Sequence, residues 1–307
     1  MSTPDPREVF ALDRRAVVQA FDRASSSYDA AAALQERVRN ELVGRLDELK
    51  VAPVSILDLG AGTGHAARAL KRRYPRSLVV AVDIAPGMLV RAKQQSRWLR
   101  RFERVRADAY TLPFRDDSFD LIFSSLMLQW CDDLDAVFAE IGRVLKPGGL
   151  LLFSTFGPDT LFELRESWGA SEAPGNHVNH FFDAQALGSA LMHAGLAEPV
   201  LDIDRIVMGY DDALTLMREL KAIGAHNVTR GRARGLTGRK RLAAMTLAYE
   251  ALRRDGKLPA TYEVIHASSW GGERRAADGF PREAVISANA IRTRGSRGQT
   301  SGGGGQT

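Results

Sequence analysis

The sequence predicts an α/β fold: a doubly wound, mostly parallel seven-stranded sheet with an antiparallel edge strand and a helical lid and insert. Three observations predict it. Five short apolar runs between residues 54 and 156 alternate with helical stretches, the rhythm of βαβ units with both sheet faces covered. Two more strand-like runs follow after residue 200, separated by helices. A glycine-rich turn joins the first run to the first helix, where open α/β sheets bind ligands.

Taken in order, residues 1–50 read as a helical N-terminal lid, with Leu34, Val38, Leu42, Leu46 and Leu49 at helical spacing and Pro53 closing the segment. A domain over 51–271 follows. VSILDLG (54–60) reads as the first strand and Thr63 to Tyr74 as a helix. SLVVAVD (77–83) is the second strand and Pro86 to Trp98 a helix. FERVRADA (102–109) and FDLIFSSL (119–126) are the third and fourth strands. Leu134 to Val144 is a helix stopped by Lys146-Pro147-Gly148-Gly149, and GLLLFSTF (149–156) is the fifth strand.

Beyond 157 the rhythm changes. Residues 157–180 read as a polar insert, then a helix spans Ala184 to His193. LDIDRIVMGY (201–210) and YEVIHASSW (262–270) are closing strands, expected as an antiparallel pair at the sheet edge. Between them lies a second insert, 211–257, with helices at Asp212 to Ile223 and Arg239 to Arg254. Residues 272–307, rich in Gly, Arg and Ser, read as a disordered tail.

Composition narrows the class. At 307 residues, 45% hydrophobic and 26% charged, the chain can build a sizeable core. It carries no run of apolar residues long enough to span a bilayer and no secretory-type start. Its one cysteine, Cys131, cannot form an internal disulfide, and no Cys/His cluster has zinc spacing, so a cytoplasmic location without a metal is expected. The net charge of +5 favours an acidic partner without demanding nucleic acid.

The sharpest motif is Asp58-Leu59-Gly60-Ala61-Gly62-Thr63-Gly64, where glycines let the backbone turn tightly and a ligand approach. Asp83 ends the second strand, where a carboxylate can accept both hydroxyls of a ribose, and Asp108-Ala109 ends the third, where an adenine would lie. No Walker lysine follows the loop.

The pattern DLGAGTG…VDIAP…ADAYTLPF…FDLIFSSL…LKPGG resembles the class I S-adenosylmethionine-dependent methyltransferases, a Rossmann-like family, over roughly residues 54–156. The resemblance implies S-adenosyl-L-methionine as co-substrate. It places Asp58, Gly60, Gly62, Gly64, Asp83, Asp108, Ala109 and Ser124 around that molecule, with the glycines at its methionine part, Asp83 at the ribose and Asp108 at the adenine.

FDRASSSYD (21–29) followed by Leu34-Gln35, then LQW (128–130), FSTFGPDTLFELR (153–165), LKAIGAHN (220–227) and LPATYEVIHASSW (258–270) look like the malonyl-[acyl-carrier protein] O-methyltransferases of biotin synthesis. That resemblance implies methyl transfer to the free carboxylate of a malonyl thioester on acyl carrier protein. Part of it is shared with a mitochondrial relative associated with arginine hydroxylation and respiratory-complex assembly. The alternatives are therefore a protein-arginine-modifying enzyme and a non-catalytic assembly factor.

A malonyl carboxylate is ionised at neutral pH and needs no general base, so catalysis is mainly positioning and exclusion of water. Three side chains are candidates for the substrate side. Arg165 can grip the carboxylate, or else pair with Glu163 or Glu166 on a solvated helix face. Tyr28 can bond the carboxylate or cover the cofactor, or else pack the lid. Gln129 and Trp130, after the fourth strand, face the transfer site by position, or else Trp130 is core. His177 and His180 sit in the polar insert, where surface residues are the ordinary reading. Basic runs at 91–106 and 230–241 read either as solvated faces or as a docking surface for an acidic carrier protein, with nucleic acid a third reading.

Overall fold

Strand runs that are apolar on both faces must be covered on both faces, and helices do this here. The computed structural model describes residues 12–96, 100–170, 181–225 and 238–273. Three helices open it: α1 (Arg14–Ala24), the short α2 (Tyr28–Ala31) and α3 (Ala33–Leu49). Five parallel strands follow with their crossovers: β1 (Ser55–Leu59), α4 (His65–Arg73), β2 (Leu78–Asp83), α5 (Pro86–Gln95), β3 (Glu103–Arg106), β4 (Phe119–Ser125), α6 (Leu134–Val144) and β5 (Leu145–Phe156). Then come α7 (Phe162–Ala170), α8 (Ala184–His193), β6 (Leu196–Tyr210), α9 (Ala213–Ala222), α10 (Arg239–Glu250) and β7 (Leu258–Gly271).

The strand order is β3-β2-β1-β4-β5-β7-β6, reversing direction of travel between β1 and β4. β7 lies antiparallel between β5 and β6, so the closing strands do form an antiparallel pair at one edge, with β6 outermost. Alternation along each strand splits the core in two. Leu57 and Leu59 point with Val80, Ile122 and Phe153 toward Phe138 and Ile141 of α6 and Leu187 of α8. Ile56 points the other way with Val79, Leu121 and Leu152, under Leu42 and Leu46 of α3 and Leu70 of α4.

Local chemistry sets the helix starts. Asp13, Asp133, Asp183 and Asp212 are N-caps whose carboxylates accept from the backbone N–H three residues on, at 3.1, 3.0, 2.7 and 2.7 Å. No helix among the described residues is long and apolar enough to cross a membrane.

Three expectations are corrected. Residues 162–170 of the expected polar insert form α7, which buries Glu163, Leu164, Ser167 and Trp168 against α10 and β7. Residues 171–180, with His177 and His180, lie outside the described residues, as do 226–237 and 274–307. The Lys146-Pro147-Gly148-Gly149 stop lies inside β5: Phe119 pairs with Leu145 and Leu121 with Leu150, so the extra residues bulge out where a proline without an N–H is tolerated. The third strand is short, because after Arg106 the chain leaves the sheet and Asp108 Oδ1 accepts from the Tyr110 N–H at 3.1 Å in a turn.

Candidate active site

The C-terminal ends of β1, β2 and β4 meet where the strand order reverses, and the glycine turn is built there. Gly60 has φ 75°, and a Cβ on it would lie 2.2 Å from Met127 Cγ, so only glycine fits. Gly64, at φ 84°, starts α4 and would put a Cβ 2.9 Å from Ala92 Cβ of α5. The Gly60 and Ala61 N–H groups both donate to the Val82 carbonyl at 2.9 Å, fixing the turn to the next strand.

Two adjoining cavities share the walls Tyr28, Gly60, Gly62 and Ser125. The larger, about 810 Å³, is mostly apolar, with Val17, Phe21, Met88, Ala109 and Trp130 around Asp83 and Asp108. The smaller, about 630 Å³, is polar, with Gln35, Arg39, Asp58, Thr63 and His65. Both are of small-molecule size.

Burial governs the charges. Asp83 Oδ2 accepts from the Gly62 N–H and Oδ1 from the Ala85 N–H, each at 2.8 Å, yet burial still raises this carboxyl above its ordinary value. Asp58 is 1% exposed, and its Oδ2 has no hydrogen-bond partner. Burial first, with the Asp83 charge adding, pushes it up to about 7. Burial and the Asp83 charge also raise the Tyr28 phenol, which therefore stays protonated. The buried Cys131 thiol is pushed up to about 12, chiefly by desolvation, so it is not a nucleophile.

The N-terminal helices tie across this cleft. Arg14 pairs with Asp108 and lies 4.3 Å over the Tyr110 ring. Asp22 Oδ1 accepts from the Gly87 N–H at the start of α5 at 2.7 Å. The Thr63 hydroxyl donates to Asp29 at 2.6 Å, and His65 Nε2 stands 3.4 Å from the other Asp29 oxygen.

Asp58, Gly60, Gly62, Asp83, Asp108, Ala109, Tyr28 and Trp130 thus come together on the cavity walls. Four expected residues do not. Ser124 is 0% exposed and donates to the Leu59 carbonyl at 2.8 Å; Ser125, pointing the other way along β4, is the wall residue. Gly64 serves helix packing instead of the walls. Gln129 is buried and donates to the Leu126 carbonyl at 2.6 Å. Arg165 donates to the Pro158 carbonyl at 2.7 Å and stands off the walls of both cavities. Its expected partner Glu163 is buried and accepts from Thr261. Trp130 combines wall and packing, meeting Phe21 edge-on at 5.0 Å.

The wall residues that sequence reasoning missed are Arg39, Ser125, Arg14 and Leu126, and Gln35, which entered only as part of the family resemblance, also lies on the wall. Leu126 is a non-glycine residue at φ 52° on the larger cavity's wall. Gln35 and Arg39 carried a signal: they flank the Leu34–Val38–Leu42 stripe at i, i+4.

Known proteins share this fold. The methyltransferase domain family matches residues 57–153. Among solved structures, the YcgJ protein from Bacillus subtilis is similar with a TM-score of 0.55 at 20% identity, covering 76% of this chain and 100% of that one. Phosphoethanolamine N-methyltransferase 2 from Haemonchus contortus, solved in complex with S-adenosyl-L-methionine, is similar with a TM-score of 0.52 at 16% identity, over 82% of this chain and 57% of that one. These likenesses establish the fold. The malonyl-[acyl-carrier protein] O-methyltransferase of Methylovorus sp. (strain MP688) is 48% identical over 278 residues, 88% of this chain and 93% of that protein. With identity at that level over most of both chains, the chain belongs to the malonyl-[acyl-carrier protein] O-methyltransferase family.

Proposed function

We propose that the protein transfers a methyl group from S-adenosyl-L-methionine to the free carboxylate of malonyl-acyl carrier protein. The observation that carries the reading is the two-part cleft: an apolar chamber and a polar chamber meet at Tyr28, Gly60, Gly62 and Ser125. The residues present fit S-adenosyl-L-methionine. Asp58 Oδ2 is a buried acceptor without a partner, and a Cβ at Gly62 would meet nothing within 4 Å, leaving room for close approach. Asp83 would accept from the ribose hydroxyls, and Met88, Ala109 and Asp108 would enclose the base. When bound, the group supplies an electrophilic methyl on a sulfonium.

The chain's own residues then have a positioning task. The substrate carboxylate is its own nucleophile, so no base is required. Tyr28, at the junction of the chambers and held protonated, donates a hydrogen bond to one carboxylate oxygen and leaves the other free to attack. Phe21, Leu126 and Trp130 keep the chamber apolar, which strengthens that bond. Arg165, the cation favoured by the sequence, is bonded to Pro158 and gives way to Tyr28 in this reading.

The acidic carrier would dock by charge. Arg239, Lys240 and Arg241 form an exposed first turn of α10, while Arg230, Arg232 and Arg234 lie outside the described residues. The relatives support carboxyl methyl transfer and give no support to arginine modification. The test is incubation of the protein with malonyl-acyl carrier protein and methyl-labelled S-adenosyl-L-methionine, followed by mild base. Release of labelled methanol supports an ester product; label that stays on protein after base overturns it.

A further inference from the structure

A buried polar atom left without a partner costs free energy and calls for an explanation. His266 Nδ1, in β7, is such an atom, on a side chain only 1% exposed. His266 lines a third cavity of about 550 Å³, which shares no wall residue with the two chambers of the cleft. This cavity lies between the C-terminal half of α3 and the β5–β7–β6 end of the sheet. Strand register builds its floor: Leu152 of β5 and Val200 of β6 flank Ser268 of β7, and Asp202 of β6 lies opposite His266. The helix supplies Arg45, Glu48 and Leu49. β6 is the outermost strand and Val200 stays 63% exposed on it, so the cavity has its mouth at the sheet edge.

Two features define the occupant. The first is the ring. Burial, then Arg45, lowers the imidazole against the opposing charges of Glu41, Asp202 and Asp204, so at neutral pH it is uncharged and carries one N–H. Nε2 stands 3.9 Å from Glu41 Oε2, which favours the N–H on that side and leaves Nδ1 with a lone pair in need of a donor. The second is the charge at the rim. Arg45 is taken up by Asp202 at 2.5 Å, and Glu48 is exposed with no ion pair among the described residues. An anion is repelled there, whereas a cation with N–H donors answers both features. We infer that this cavity is a second ligand site, for a primary amine with an apolar body: the ammonium donates to His266 Nδ1, Glu48 balances its charge, and the hydrocarbon lies against Leu49, Leu152 and Val200. The site stands apart from the methyl-transfer cleft and does not depend on how that cleft is read.

The test uses three probes that share a benzyl group and differ in charge: benzylamine, benzyl alcohol and phenylacetate. Each is titrated into the isotope-labelled full chain and followed by NMR at the His266 ring and the Leu49, Leu152 and Val200 methyls. The Val17 and Met88 methyls of the cleft serve as the control. Benzylamine is expected to bind about tenfold more tightly than phenylacetate, with benzyl alcohol between them. Glu48→Gln, a change on the exposed rim, should weaken benzylamine about three- to fivefold and leave benzyl alcohol as it was. His266→Phe keeps a ring and removes the acceptor, so it should weaken both the amine and the alcohol; should this variant fail to fold, the order of the probes and Glu48→Gln decide. Phenylacetate binding as tightly as benzylamine overturns the inference. So does an unchanged benzylamine affinity in Glu48→Gln or in folded His266→Phe, and so do shifts confined to the Val17 and Met88 methyls. No shift from any probe would overturn it as well, and would assign Nδ1 to a buried water.

Discussion

Replacing Asp83 with asparagine separates ligand recognition from stability. Asp83 ends β2, and each of its oxygens already accepts one backbone N–H, from Gly62 and from Ala85, at 2.8 Å. The lone pairs left over are the acceptors available to a ribose in the larger cavity. Asparagine keeps one acceptor oxygen, turns the other into a donor and removes the charge. A hydrogen bond to a charged group contributes about 1.5–3 kcal/mol, so losing that character should weaken S-adenosylhomocysteine binding roughly 10- to 100-fold. Stability should move the other way or hardly at all. Burial raises the Asp83 carboxyl, which means the ionised form is strained in the folded protein. Asparagine relieves that strain while weakening the bond from Gly62, and the two effects oppose. Calorimetry with S-adenosylhomocysteine and a thermal melt of the same sample check both halves. A folded Asp83→Asn protein with wild-type affinity would refute the ribose assignment. A melting temperature that collapses along with affinity would show that the carboxylate serves the Gly62 turn and not the ligand.

Tyr28→Phe should lower turnover on malonyl-acyl carrier protein about tenfold or more, with S-adenosylhomocysteine affinity nearly unchanged, because one bond to a charged oxygen is lost; steady-state kinetics beside calorimetry decides. Arg165→Ala should keep turnover within a few-fold, since the guanidinium is bonded to Pro158; loss of most activity in a folded variant would return Arg165 to the substrate. Burial first, then Arg45, lowers the His266 imidazole, so it is neutral when folded and takes up a proton more readily when unfolded. Stability should therefore fall as pH drops below the ordinary value of 6.5 toward the folded one, and His266→Gln should flatten that part of the melting-temperature profile. Phe138→Ala, deleting a fully buried ring between α6 and the sheet, should cost about 3–5 kcal/mol in denaturant unfolding.

What could be read from the sequence was what a short stretch of chain decides for itself. The strands showed because SILDL and LVVAVD are apolar on both faces, and only burial on both faces accommodates that. Asp58 and Asp83 showed because they stand at the ends of β1 and β2, and Gly60 and Asp108 because they lie just past the ends of β1 and β3, where parallel sheets bind ligands. The misses were decided by partners far away in the chain. Glu163 was expected on a solvated face, but Thr261, 98 residues on, takes both its oxygens, and α7 is buried with it. On the same helix Arg165 donates to the Pro158 carbonyl.

The two adjacent serines after Phe123 make the same point at single-residue scale. Alternation sends them to opposite faces, and nothing local says which face holds the ligand. Pairing of β4 with β1 and β5 settles it, burying Ser124 against Leu59 and leaving Ser125 on the wall of both cavities. Gln35 and Arg39 follow the same logic on a helix. Their flank beside the Leu34–Val38–Leu42 stripe is visible in the sequence, but its direction is set only when that stripe docks. Leu34 and Val38 go under Leu126 and Phe156, and Leu42 goes against the sheet. Docked so, the flank meets Asp58, and the cleft acquires its polar end from a helix that precedes the first strand.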